Sequence, residues 1–184
     1  MKRRILGYVA VMVTVICLCA APSFAADNAK IGVGYQGMFA GNLLNGLSVR
    51  GWVGPNTAIG VEGNLFYGAL TVDDFSGSED LEADLFMLEI KAMYAFIVRT
   101  NSRFYAGGKF AYGQYSIDPV DFDGKVYIPG IFVGAEWNFP SLPEVGFNFD
   151  VGYNYVIDRN DVGSDDVDLN LHGVNVALGI KYYF

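Results

Sequence analysis

From Lys30 to Phe184 the chain is written in a period of two, with apolar or aromatic residues at alternate positions and glycine, small or polar residues between them. Successive side chains of a strand point to opposite faces, so this pattern predicts strands with one apolar and one different face. It divides into eight segments: Lys30–Ala40, Gly46–Gly54, Thr57–Ala69, Asp84–Ile97, Arg103–Ser116, Val126–Phe139, Glu144–Ile157 and Leu169–Phe184. The fourth is typical, with Phe86, Leu88, Ile90, Ala92, Tyr94 and Phe96 on one face. The abundance of glycine (23), Phe (14) and Tyr (12) also favours strands over helices.

The other face decides the solvent. It carries Arg50, Glu62, Glu89, Lys91, Lys109, Glu136, Asp150 and Lys181, together with Gln36, Asn64, Asn148 and Asn154. The apolar face is almost free of charge along the segment interiors. A soluble barrel would turn its apolar face inward and its charges outward. Here the charged set is balanced in sign, as expected of a network that pairs within an enclosed lumen, while the apolar face meets lipid. Most segments reach the roughly 9–11 residues a tilted strand needs to cross a bilayer. A sheet in lipid cannot leave an edge open, because its amides would lack partners. The sequence therefore predicts an all-β fold: a closed antiparallel up-and-down transmembrane β-barrel of eight strands. An eight-stranded barrel is just wide enough to be filled by its own side chains. The eight charges are thus expected to form a plug, with an ion pathway as the alternative.

The connections support this. Gly54-Pro55-Asn56, Val98–Ser102 and Pro140–Pro143 are short turns, whereas those after the third, fifth and seventh segments are longer and acidic. Gly41–Asn45 is a short, nearly uncharged exception. Aromatics gather near segment ends: Tyr94, Phe96, Phe104, Trp137, Phe139, Tyr182 and Phe184 toward one rim, Tyr67, Tyr112, Tyr127 and Tyr155 toward the other. Two interfacial girdles are expected from them. Pro129, which lacks an N–H, is expected to mark a bulge or a late strand start. The alternation also stumbles near Gly173, where a bulge or a strand top clear of the membrane is expected. Trp52, Leu85 and Met87 fall on the inward face.

The N-terminus has the three parts of a secretory signal: basic Lys2, Arg3 and Arg4, an apolar run from Ile5 to about Ala21, and small residues at Ser23 and Ala25. Residues 1–25 are expected to be cleaved away, leaving 26–184 as the barrel domain. Both cysteines, Cys17 and Cys19, lie in the leader, so no disulfide or cysteine metal site is expected beyond it. Neither has the small residue before it that an acylated cysteine needs. With 12 Lys+Arg against 20 Asp+Glu, and three of the basic residues in the leader, the remainder is strongly acidic. That argues against nucleic acid as a partner.

The last residues, Val176, Leu178, Ile180, Tyr182 and a terminal Phe184, alternate to the end. A terminal Phe with an aromatic two residues earlier resembles the targeting signal of bacterial outer-membrane barrels. With the leader and the eight segments, the chain resembles the small outer-membrane β-barrel family of OmpA-like, OmpX-like and opacity-type proteins. The resemblance covers the whole mature chain. It implies integral residence in the outer membrane, contact with its lipid and lipopolysaccharide, and insertion by the barrel assembly machinery reading Tyr182 and Phe184. The additional peptidoglycan-binding domain of OmpA-like proteins is not expected.

No motif predicts catalysis or a cofactor. Gly32-Val33-Gly34-Tyr35-Gln36-Gly37 matches G-x-G-x-x-G, but alternation runs through it where a nucleotide site needs a helix to begin. His172, the only histidine, has no neighbouring serine–acid constellation, although barrel enzymes acting on lipid A or peptides use such a histidine. Acidic loop residues Asp73, Asp74, Glu79, Asp80, Glu82, Asp84, Asp118, Asp158 and Asp161 suggest solvated loops. Asp121, Asp123, Asp165, Asp166 and Asp168 are weak calcium candidates that do not complete an EF-hand pattern. Such ions would bridge the loops to one another or to lipopolysaccharide phosphates. The expected role is structural or surface-interacting through these loops, with the extracellular ligand unidentified. A narrow channel is the alternative, and a lipid A-modifying enzyme a third.

Overall fold

The computed structural model describes residues 30–40, 42–53, 58–72, 81–118, 122–162 and 165–184. The expected leader 1–25, the turn at Gly54-Pro55-Asn56, and Asp73, Asp74, Glu79, Asp80 and Asp121 lie outside them. Eight strands follow in order: β1 (Lys30–Ala40), β2 (Asn42–Val53), β3 (Ile59–Val72), β4 (Leu81–Arg99), β5 (Ser102–Asp118), β6 (Phe122–Phe139), β7 (Leu142–Val162) and β8 (Asp165–Tyr183). Each pairs antiparallel with its neighbour in sequence, and β1 pairs with β8 to close the barrel. Every amide row in the closed part of the wall thus has a partner strand, as a sheet in lipid requires.

The two faces are those the alternation predicts. On β6, Ile131 (68%) and Val133 (56%) are exposed while Phe132 between them is buried. Exposure of such side chains is tolerable only where the surrounding medium is itself apolar. Tyr94, Phe96, Phe104, Trp137, Phe139, Tyr182 and Phe184 all lie exposed on this outer face near the end that carries the tight turns Thr100–Asn101 and Pro140–Ser141. Short turns mark the periplasmic side. Tyr67 and Tyr155 are exposed toward the opposite end, where the rings of Tyr112 and Tyr127 meet at 5.4 Å.

Four expectations need correction. β2 begins at Asn42, so only Gly41 joins it to β1; the adjacent Leu43 and Leu44 break the alternation and hide the strand start. β3 to β8 all run further from the turn-bearing end than expected, β6 starting at Phe122 and β7 reaching 21 residues. A strand that has left the membrane no longer needs one apolar face, so periodicity cannot signal it. Pro129 marks neither a bulge nor a late start. The β6–β7 ladder pairs Tyr127 with Ile157 and resumes in the same register at Gly130–Asn154, so the missing N–H is accommodated by a gap. Gly173 pairs with Asn154 in an unbroken β7–β8 ladder, so no bulge lies there. The β1–β8 ladder ends at Phe39–Val176, and the upper part of β8 continues beyond β1.

A bulge does occur where none is expected. In the β4–β5 ladder the register shifts between Ala95 and Ile97, which makes Phe96 the extra residue. Phe96 and Ile97 consequently both face outward beside buried Ala95.

A buried charge network as the candidate functional site

Neighbouring strands bring the inward charges together in register. Arg50 on β2 is opposite Glu62 on β3, Glu62 is opposite Lys91 on β4, and Lys91 is opposite Lys109 on β5. Glu136 on β6 is opposite Arg103 on β5 and Asn148 on β7. All eight charges named from the sequence are buried, and seven of them are at most 2% exposed.

Glu62 is a hub. It forms an ion pair with the Arg50 Nε, and its oxygens lie 3.1 Å from Lys91 Nζ and 3.4 Å from Lys181 Nζ. Arg50 reaches the far wall, where its Nη1 donates to Glu136 Oε2 at 2.8 Å and to the Tyr105 hydroxyl at 3.1 Å. Lys91 Nζ donates across the lumen to Asp150 Oδ2 at 2.8 Å. Lys109 Nζ lies 3.3 Å from Glu89 Oε2 and donates to Asn175 Oδ1. Lys181 donates to Gln36 Oε1 at 2.9 Å and Asn148 Oδ1 at 2.8 Å. Asn64 bridges the carboxylates of Glu62 and Glu89 through its Nδ2. A buried charge without a partner costs several kcal/mol, and each of these charges has one.

The network has three further members beside the eight charges named from the sequence. The Tyr105 hydroxyl donates to Asp150 Oδ1 at 2.6 Å, and the Tyr183 hydroxyl donates to Glu136 Oε2 at 2.5 Å. Arg103 Nη1 donates to Glu136 Oε1 at 2.9 Å. Strand parity would have found them: Arg103 and Tyr105 share a face with Lys109, and Tyr183 shares one with Lys181.

Apolar layers cover the network on both sides. Toward the turn-bearing end, Trp52, Met93, Ala95, Tyr105, Phe132 and Tyr183 form one cluster, and the Trp52 and Tyr105 rings are 5.5 Å apart. The Arg50 guanidinium lies 5.2 Å from the Tyr105 ring, which joins this layer to the charges. Toward the other end, Phe66, Met87 and Ala111 pack with Leu44 and Ile128. The inward positions of Trp52 and Met87 are those their parity gives.

The remaining candidates lie apart from the lumen. His172 is on the outer face, with Nδ1 2.5 Å from the Tyr153 hydroxyl and its ring stacked on Tyr155. Asp123 is exposed at the start of β6; Asp165, Asp166 and Asp168 are placed only as backbone positions of β8. Among the described residues no group of three or more His, Cys, Asp or Glu is arranged to hold a metal ion. Tyr182 and Phe184 pack edge to face at 5.3 Å on the outer surface, and the Phe184 amide donates to the Ile31 carbonyl at 2.9 Å.

The outer membrane protein beta-barrel domain family matches residues 11–184. Among solved structures, the N-terminal β-barrel domain of Pseudomonas aeruginosa OprF is 14% identical. That likeness covers 84% of this chain and 97% of that one, at a TM-score of 0.53. Ail, the attachment invasion locus protein of Yersinia pestis, is 15% identical over 85% of this chain and 97% of its own, at 0.52. At such identities the likeness is one of fold. No curated protein matches the chain by sequence.

Proposed function

Because the chain belongs to the outer membrane protein beta-barrel domain family and is integral to the outer membrane, we propose that it works as an occluded barrel, a rigid stave that presents its long extracellular hairpins to the surroundings. The supporting observation is the filled lumen. Charges at mid-height are paired and almost wholly buried, and an apolar layer lies on each side of them. Ions crossing such an interior would have to break these pairs and shed their water beside Trp52, Phe132 and Phe66. Catalysis has no part in this proposal. His172 is engaged by two tyrosines on the outer face, away from the buried carboxylates.

Residues 1–25 complete the route as an export leader, and N-terminal sequencing of the mature protein should begin at Ala26. The decisive test is conductance of the purified barrel in planar bilayers. A closed stave gives a baseline without unitary steps. Steady openings that disappear when Glu89 and Lys91 are neutralised would establish the channel instead.

A further inference from the structure

Basic residues are distributed very unevenly over the barrel. Of 12 in the sequence, three precede Ala25 and five point into the lumen: Arg50, Lys91, Arg103, Lys109 and Lys181. Lys30 and Arg99 sit at the turn-bearing end, as the first residue of β1 and the last of β4. Lys125 and Arg159 are what remains for the opposite half, and they are directly opposite each other in the β6–β7 ladder. Both are exposed, in line with the outward-facing residues of their strands.

Two like charges directly opposite on one face repel each other. The Arg159 guanidinium lies 5.8 Å from the Tyr127 ring. Asp123 is exposed two residues before Lys125 on β6, and the backbone of Asp168 is the register partner of Arg159 on β8. The cations form the next outward row after Tyr127 and Ile157. Two residues along a strand is about 7 Å. The headgroup zone on each side of a bilayer is roughly 6 Å deep. With the Tyr112–Tyr127 row as the interfacial girdle, the pair is level with the headgroups and faces them. Gln114 lies opposite Lys125 on β5 and donates to the Tyr112 hydroxyl at 2.6 Å, extending a polar row above the tyrosines.

We propose that Lys125 and Arg159 form a binding site for the phosphate of a phosphorylated glycolipid in the outer leaflet. Arg159 supplies a forked donor and Lys125 a point charge. Tyr112 and Tyr127 lie below, against the start of the acyl region. The leaflet holds lipid phosphates at this depth, whereas a soluble anion has no such anchor. The site is independent of whether the lumen conducts.

The test compares the folded full-length barrel with its K125Q/R159Q variant in detergent micelles, titrated with diphosphoryl lipid A. Bound lipid is read by native mass spectrometry and by thermal shift. Each cation near a charged surface contributes on the order of 1 kcal/mol, so the variant should bind about thirtyfold more weakly. Dephosphorylated lipid and inorganic phosphate should shift neither protein, and K30Q/R99Q at the other rim should bind like the parent. Folding of each variant is checked by heat-modifiable gel mobility, and K125Q alone replaces the double variant should that one not fold. Retention of parental affinity without the cations overturns the proposal. An equal shift with inorganic phosphate overturns the lipid assignment.

Discussion

Arg50 and Glu62 face each other across the β2–β3 ladder and form an ion pair that solvent does not reach from either side. Arg50 also holds Glu136, so removing it leaves two buried carboxylates short of a cation. Arg50→Met should destabilise the barrel by about 3–5 kcal/mol. Glu62→Gln keeps the shape but removes the carboxylate that Arg50, Lys91 and Lys181 share, so it should cost clearly more. Urea midpoints of the variants refolded in lipid vesicles would give this order. Equal losses would show that the pair, not the hub, sets stability.

Lys91 and Asp150 meet across the lumen from β4 and β7. Contact of this kind ties opposite walls, whereas register neighbours tie adjacent ones. A double-mutant cycle with Lys91→Met and Asp150→Asn should show a coupling of roughly 1–3 kcal/mol, with the double variant losing less than the singles together. Additivity within error would mean that each side chain is held by its other partners.

These two contacts also mark how far the sequence could be read. Which residues face inward follows from parity, because lipid demands an apolar outer row and any charge must then occupy the other. Arg50–Glu62 is a ladder neighbour and follows once the strands are aligned. Lys91–Asp150 does not, since contact across the lumen depends on the stagger of the closed sheet, which no local pattern encodes. Tyr105 and Tyr183 are hidden in the sequence because aromatics in a barrel are expected at the interfaces, although their parity with Lys109 and Lys181 puts their hydroxyls among the charges. The strand extensions beyond the membrane were illegible for the reason given by their solvent: water on both faces erases the alternation. The Phe96 bulge has no signature in a run of apolar residues from Tyr94 to Val98.

Glycines of the wall divide sharply. A Cβ on Gly34 would lie 2.0 Å from the Ile180 carbonyl oxygen and 2.7 Å from Lys181 Cα, and one on Gly46 would lie 1.9 Å from the Leu65 oxygen. Backbone atoms of the neighbouring strand cannot yield as a side chain can. Gly34→Ala and Gly46→Ala should each cost about 1–3 kcal/mol. A Cβ on Gly63 meets nothing within 4 Å, and Gly63→Ala should stabilise by about 0.4–1 kcal/mol through the unfolded chain. Thermal or urea unfolding of the three variants checks the sign as well as the size.

Phe184 separates stability from assembly. The residue is 78% exposed on the outer surface, and its backbone bond to Ile31 does not involve the side chain. Truncation by Phe184→Ala removes little folded-state packing beyond the edge of Tyr182, so the unfolding free energy of refolded protein should move by no more than about 0.5 kcal/mol. If the terminal aromatic is a recognition signal, as its resemblance to barrel-targeting termini implies, the same variant should accumulate several-fold less in the outer membrane of expressing cells, with the shortfall found in the periplasm. Recognition by strand addition reads side-chain pockets at alternate positions, so Tyr182→Ala should have the same phenotype while Tyr183→Phe, on the opposite face, should not. Parental surface levels for Phe184→Ala would remove the signal role, and a matching loss of stability in vitro would attribute the defect to folding.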